Sequence, residues 1–582
     1  MIEKSSAEKI AFEVETSEVC EGSSIPYDQP SGGWWYNLKD SFKRADVDIT
    51  GEGLTDHEKQ LQKIEKSPLK KNLKNRHLQM IAIGGSIGTG LFVGSGACLQ
   101  AGGPAGTFIA YAVIGSLLFV TVQSLGELAV AYPLSGAFSV YNSRFVSRAW
   151  GFAMGWNYAI QWLVILPFEL VVAGMVIQYW NDKISPAAWV SIFYSLIVFI
   201  NFFGGKGYGE AEFFFSSVKV ISIIGYIILG IILVSGGGPN HEFIGGKYWH
   251  NPGAFRHGFK GLCSVFVTAA FGFAGTEMCA LAAAETVDAR KSIPKASKQV
   301  FWRITLFFLL SVLMVGLLVP YNDSRLGTSS YSAKASPFVI SISNAGIKVL
   351  PSIFNVIILF TVLSVGNSST YGCSRTILSL AEQGFAPKIF TYIDKKGRPI
   401  PATIVTLVFG LLSFLAASDK QGEVFDWLLA ITGLCAIMTW GSICACHIIF
   451  RKALTVQGRG TDELAFTSIT GTIGSWYGLI GYFGVLAAQF WIAAWPFQLA
   501  DNIGDRIATF LQAYLAVPVV FCFYIAYVIW NREFTFFNGF KNIDLDHGRK
   551  AVDLDVLRQE VAEERAYFAS QPWWWRWYNI WC

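Results

Sequence analysis

Long charge-poor runs separated by short polar stretches dominate the chain, at residues 78–99, 107–131, 152–180, 187–203, 213–235, 261–284, 304–320, 349–380, 402–418, 427–450, 477–494 and 507–530. A helix needs roughly 20 apolar residues to cross about 30 Å of hydrocarbon. The pattern therefore predicts an all-α polytopic membrane protein with about 12 transmembrane helices. The eighth run exceeds one span and is predicted to protrude. Two runs are interrupted. Residues 84–96 read GGSIGTGLFVGSG, six glycines in thirteen positions, although Gly costs about 1 kcal/mol per position in a helix interior. The sixth run is broken at residues 270–277, AFGFAGTE, by Gly272, Gly275 and Glu277.

Irregular backbone survives at bilayer depth only where protein or a polar cavity satisfies its N–H and C=O groups. For the first break alone, a small-residue helix-packing face is the alternative. Two breaks five spans apart instead form the pattern of an inverted-repeat transporter with its site near the midplane. Half-helix N-termini offer N–H groups and a positive dipole end to an anion, while unwound carbonyls accept from a cation. That pair of ends suits a zwitterion, hence an α-amino acid.

Composition agrees, with 53% hydrophobic and 15% charged residues. Three regions are predicted: a mostly disordered N-terminal tail (1–76), a transmembrane domain (77–530) and a C-terminal tail (531–582). No cleavable signal peptide is read in the first region. Lys63, Lys66, Lys70, Lys71, Lys74 and Arg76 precede the first span, which by the positive-inside rule puts the N-terminus in the cytoplasm. An even number of spans puts the C-terminus there too. The intervening loop 98–106, without a basic residue, is predicted outside, while Lys247, Arg256 and Lys260 fit an outside loop poorly. Asn322 heads an Asn-Asp-Ser sequon in another outside loop and is a glycosylation candidate.

The ten cysteines are scattered, mostly in apolar runs, with no CxxC pair, so no metal is predicted. No carboxylate dyad, His-Glu pair or nucleophile motif at membrane depth points to an enzyme, and no nucleic-acid partner or cofactor is predicted. Glu169 stands in the third run with no charge for many residues on either side. An intramembrane carboxylate is functional by default because its burial is costly; the alternative is a protonated group stapling two helices. Asn367 and Ser368 in the eighth run, and Thr439 and Ser442 in the tenth, either face the cavity or bond helix to helix. The tail ends PWWWRWYNIWC. Its tryptophans suit a membrane interface with lipids as partners, and Cys582 is a lipidation candidate.

Four stretches resemble the amino acid–polyamine–organocation superfamily and, within it, the yeast amino-acid permeases: GGSIGTGLFVGSG; AGGPAGTFIAYAVIGSLLFVTVQSLGELAVAYPLSGAF (101–138), with Glu127 six residues before Pro133; VFVTAAFGFAGTE with the following AAAETVDARKSIPKA; and GNSSTYGCSRTILSLAEQGFAPKIFTYIDKKGRPIPA (366–402). The tail segment DLDVLRQEVAEER resembles the general, broad-range members. The resemblance implies a leucine-transporter-type fold: two inverted five-helix repeats with broken helices 1 and 6, plus two additional helices. It also implies alternating access and proton-coupled uptake of L-amino acids across the plasma membrane, with the proton as coupling ion. A sensor of permease fold and a narrower-specificity permease stay open as alternatives. Trafficking or ubiquitination machinery is a candidate partner of the tails.

The resemblance also assigns roles. Ser86, Ile87, Gly88, Thr89 and Gly90 receive the substrate carboxylate. Carbonyls at Ala270, Phe271 and Phe273, beside Gly275, receive the ammonium, and Phe271, or else Phe273, gates the site. Glu169 lines the site and titrates. Lys219 couples the proton, unless it snorkels to the surface. Glu127 and Glu277 satisfy freed backbone N–H groups.

Overall fold

The computed structural model describes residues 34–45, 69, 75–85, 87–134, 136–181, 183–285, 289–326, 336–417, 421–497, 502–546, 549 and scattered positions from 559 to 575. Ser86 and Cys582 lie outside them. The chain divides into two units at Lys43/Arg44. In the first, helix α1 (Trp34–Ser41) occupies part of the tail read as disordered.

The second unit is helical, with no strand among the described residues. It begins with α2 (Asn75–Gly84), α3 (Thr89–Phe92), α4 (Gly94–Ala131), α5 (Ala137–Tyr141), α6 (Arg148–Ile177), α7 (Pro186–Phe202) and α8 (Gly204–Val234). It continues with α9 (Gly258–Phe273), α10 (Met278–Leu281), α11 (Ala289–Trp302), α12 (Leu310–Leu318), α13 (Pro337–Asn344), α14 (Leu350–Glu382) and α15 (Ile400–Gly410). It ends with α16 (Gln421–Val456), α17 (Gly471–Ala494), α18 (Ile503–Tyr514) and α19 (Ala516–Asn531). Every apolar run read from the sequence is occupied by helix. Among the described residues, seven helices are long and apolar enough to cross a membrane, and an eighth if α18 and α19, bent by 73°, form one span. The apolar helices α7 and α9 are shorter. At 33 residues, α14 is roughly 50 Å long at 1.5 Å per residue, well beyond one span as expected.

The first predicted outside loop was misread. The loop expected at 98–106 is helical on both sides of a sharp kink in α4 at Gly103, with φ 75° and ψ 173°. Pro104 disfavours a helical residue before it, and glycine takes the positive φ without strain. A side chain there would also come within 2.8 Å of Ala254 O and Arg256 N.

Lipid supplies little hydrophobic drive between helices, so close packing and interhelical hydrogen bonds hold the bundle. α9 packs along α4, and α14 along α6. Thr121 and Tyr482 hydroxyls share a hydrogen bond at 2.9 Å, and those of Ser124 and Ser475 one at 2.8 Å. Glu127, fully buried, is gripped by Arg451 at 2.6 Å and by the Ser468 N–H at 2.7 Å, with His447 at 3.1 Å. Beyond α19, the Tyr132 hydroxyl donates to Leu545 O at 2.8 Å, the Asn538 amide to Arg144 O at 2.9 Å and Gln457 to Ile543 O at 2.8 Å. The start of the C-terminal tail is thereby tied to the bundle.

Candidate functional site

Both interruptions are present, and they meet. Helix α2 ends at Gly84, the backbone is extended at Gly88 with φ −142° and ψ −163°, and helix resumes at Thr89. Restarting a helix leaves its first N–H groups, those of Thr89 and Gly90, without partners inside α3. The second helix stops at Phe273, turns at Gly275 with φ +96° and resumes at Met278. A Cβ on Gly90 would lie 2.4 Å from Gly272 Cα. The two breaks are therefore packed backbone to backbone, which only glycine permits.

Beside this contact is a cavity lined by Gly88, Thr89, Gly90, Trp162, Ile165 and Glu169, and by Phe271, Gly272, Ala274 and Val365. The room open to the centre of a water molecule is about 10 Å³, enough for roughly one water. An amino acid would enter only if the walls moved apart. Thr89 Oγ1 donates to Glu169 Oε2. Glu169 is 1% exposed, and its other oxygen, Oε1, has no hydrogen-bond partner among the described residues. The Trp162 indole N–H is likewise buried and unpaired. Buried polar atoms are normally satisfied, so an unpaired acceptor and an unpaired donor on residues lining one cavity mark it for a polar ligand. Phe271 packs edge to face on Phe168 at 5.2 Å.

The structure thus gathers Gly88, Thr89, Gly90, Glu169 and Phe271 around one cavity. Ile87 is buried in the first break, outside the lining. Ala270, Phe273 and Gly275 also lie outside the lining. Phe273 is buried against Phe308 at 4.3 Å and Tyr111 at 5.7 Å. The carbonyls of Phe271 and Phe273 already accept the N–H groups of Ala274 and Thr276, at 3.1 and 3.4 Å. Glu277 accepts the Gly275 N–H and the Trp440 indole N–H, each at 3.2 Å. Asn367 accepts from the Asn201 amide at 2.9 Å, Thr439 from Asn157 at 3.0 Å and Ser442 from Trp150 at 2.8 Å. All three bond helix to helix. Asn322 is exposed in the turn before Leu326.

Lys219 is fully buried, so it does not snorkel. Its ammonium donates to Gly84 O at 3.0 Å, at the end of α2, and to Ser364 Oγ of α14 at 2.7 Å. Trp162 and Ile165 escaped the sequence reading. Both precede Glu169 at helical spacing, seven and four residues back, so the face of α6 carrying the carboxylate held the signal.

Two interrupted helices enclosing a small, mostly apolar cavity that carries Thr89 and Glu169, in an apolar helical bundle, define the class, a multi-pass membrane transporter. Residues 77–538 match the family described as amino acid permease. The chain is 59% identical to the general amino-acid permease GAP2 of Candida albicans, over 93% of this chain and 92% of that protein. It is 53% identical to the general amino-acid permease GAP1 of Saccharomyces cerevisiae, over 96% and 94%, and 49% identical to the histidine permease of the same yeast, over 89% and 87%. The crystal structure of the Eremococcus coleocola manganese transporter aligns with a TM-score of 0.50 at 13% identity, covering 83% of this chain and 96% of that one; at that identity the likeness concerns the fold. The chain belongs to the amino acid permease family.

Proposed function

We propose that this permease is a proton-coupled symporter that carries L-amino acids of broad side-chain type across the plasma membrane by alternating access. In this reading both termini are cytoplasmic, and twelve spans form two inverted five-helix repeats plus two helices. The observation that carries it is the cavity at the meeting point of the two breaks, lined by Glu169, one of whose oxygens has no hydrogen-bond partner among the described residues. Backbone N–H groups at the start of α3 hold the α-carboxylate. The carboxylate of Glu169 holds the ammonium or a cationic side chain, and Phe271 closes over the ligand. The general permeases among the relatives support breadth of substrate. Lys219, whose buried ammonium joins the end of α2 to α14, supports the proton coupling that the family resemblance implies.

The test is uptake of a panel of radiolabelled amino acids by permease-deficient yeast expressing this chain, with and without a protonophore and with sodium replaced by choline. Uptake of acidic, basic and neutral amino acids, abolished by the protonophore and indifferent to choline, is the expected result. Uptake of a single amino acid would leave a narrow permease, and sodium dependence would remove the proton reading.

A further inference from the structure

A second carboxylate, Glu212, lies in α8 two turns before Lys219 and is fully buried. Its Oε1 accepts from Ser216 Oγ at 2.9 Å and faces Lys219 Nζ at 3.7 Å. Its Oε2 accepts from the hydroxyls of Ser364 at 2.7 Å and Ser368 at 3.3 Å, both on α14. Three hydroxyls placed to donate and one ammonium surround it, which suits a carboxylate anion. Ser364 Oγ also receives the Lys219 ammonium, so one hydroxyl bridges the two charges. Further out, Ser368 meets the Tyr208 hydroxyl at 3.3 Å, Tyr208 stacks on Tyr371 at 4.1 Å, and Arg375 lies over Tyr371 while pairing with Glu285 at 2.8 Å. Arg375 already has its own carboxylate. Glu212 is the carboxylate nearest the Lys219 ammonium, with Glu169 of α6 acting on it from further away.

We propose that Glu212 is the residue on which the co-transported proton rides, with Lys219 as its partner; this rests on the symport reading above. When Glu212 takes up a proton, its carboxylate becomes a neutral acid whose O–H needs an acceptor. The Ser364 hydroxyl must then turn from donating to Oε2 to accepting from it. The pair passes from neutral to a single positive charge, and the Lys219 ammonium loses its nearest counter-charge while the more distant Glu169 still acts on it. Uncompensated buried charge is costly, so the protonated state favours an arrangement in which Lys219 shifts. Because that ammonium holds Gly84 O, the shift is felt at the edge of the first break. Release of the proton restores the carboxylate and the bridge.

The experiment compares wild type with Glu212→Gln in membrane vesicles, measuring both accumulation driven by an imposed pH gradient and exchange of labelled for unlabelled amino acid at equal pH. One pH unit sustains about tenfold accumulation per proton. Wild type should show that accumulation, and its absence would overturn the symport reading itself. In Glu212→Gln, whose amide keeps the volume but cannot titrate, accumulation should vanish while exchange persists and no longer varies with pH. Wild-type accumulation in this variant would overturn the proposal. Should Glu212→Gln fail to reach the membrane, the double variant Glu212→Gln, Lys219→Met removes both charges together. It should reach the membrane without gradient-driven accumulation, and full accumulation by it would equally overturn the proposal.

Discussion

Glu169 and Glu212 are both buried carboxylates in the same bundle, each at most 1% exposed, and they are satisfied in opposite ways. Glu212 has hydroxyl donors on both oxygens and an ammonium alongside. Glu169 has one donor, Thr89, and one oxygen with no described partner on the wall of a cavity. A carboxylate with donors on both oxygens changes its surroundings most directly by changing its charge. One with a vacant oxygen can change them by accepting a ligand. Burial alone does not distinguish the two roles, whereas the inventory of donors does.

The most severe way to break this comparison is to close the cavity while leaving both carboxylates in place. Gly90→Leu would drive a side chain into the backbone of Gly272, where even a Cβ would come within 2.4 Å. Overpacking an ordinary core costs about 1–3 kcal/mol, and backbone yields less than a side chain does. Uptake of every amino acid should fall at least a hundredfold in a direct assay normalised to surface protein. Near-normal uptake would separate the breaks from the transport route.

A gentler change sharpens the contrast. Glu169→Gln keeps the volume and an acceptor for Thr89 but removes the charge, so lysine and arginine uptake should suffer more than leucine uptake. Losing a hydrogen bond to a charged group costs about 1.5–3 kcal/mol, which is tenfold or more in apparent affinity. Equal loss for all substrates with exchange preserved would move the proton from Glu212 to Glu169. Normal transport of every substrate would reduce Glu169 to a helix staple.

The first of these carboxylates was legible in the sequence and the second was not, for a physical reason. Glu169 is an isolated charge in an apolar run, and the glycines of both breaks violate helix propensity where a span is required. Each departs from its background. Glu212 belongs to the stretch GYGEAEFFF, whose charges lower the local hydropathy and placed the predicted span boundary at residue 213. The helix actually starts at Gly204, putting Glu212 two turns inside it. What admits that charge is Lys219 and two serines of α14, and a pairing across helices leaves no mark in local hydropathy. Trp162 and Ile165 were hidden differently, as apolar residues in a run of apolar residues. The kink at Gly103 was read as a loop because Gly and Pro punctuate chains in both settings.

The smallest expected effect comes from a carboxylate that is well paired but lies outside the spans. Glu463 accepts from Arg459 at 2.9 Å and from Arg549 at 3.0 Å, joining the turn after α16 to the C-terminal tail. Partial burial pushes its pKa up, but the hydrogen bonds and charges of the two arginines outweigh that and hold it below the ordinary carboxylate value. A pKa lowered by folding contributes stability that is present above the ordinary value and lost as pH falls through the lowered one. Ion pairs this close to the surface contribute about 1 kcal/mol or less. Glu463→Gln should therefore lower the thermal midpoint of the detergent-solubilised protein slightly at pH 7. The gap to wild type should close as pH drops below about 4. A gap that persists unchanged in acid would show that packing of the tail, not the charge on Glu463, fastens it, and the contrast between buried and surface carboxylates would lose its third point.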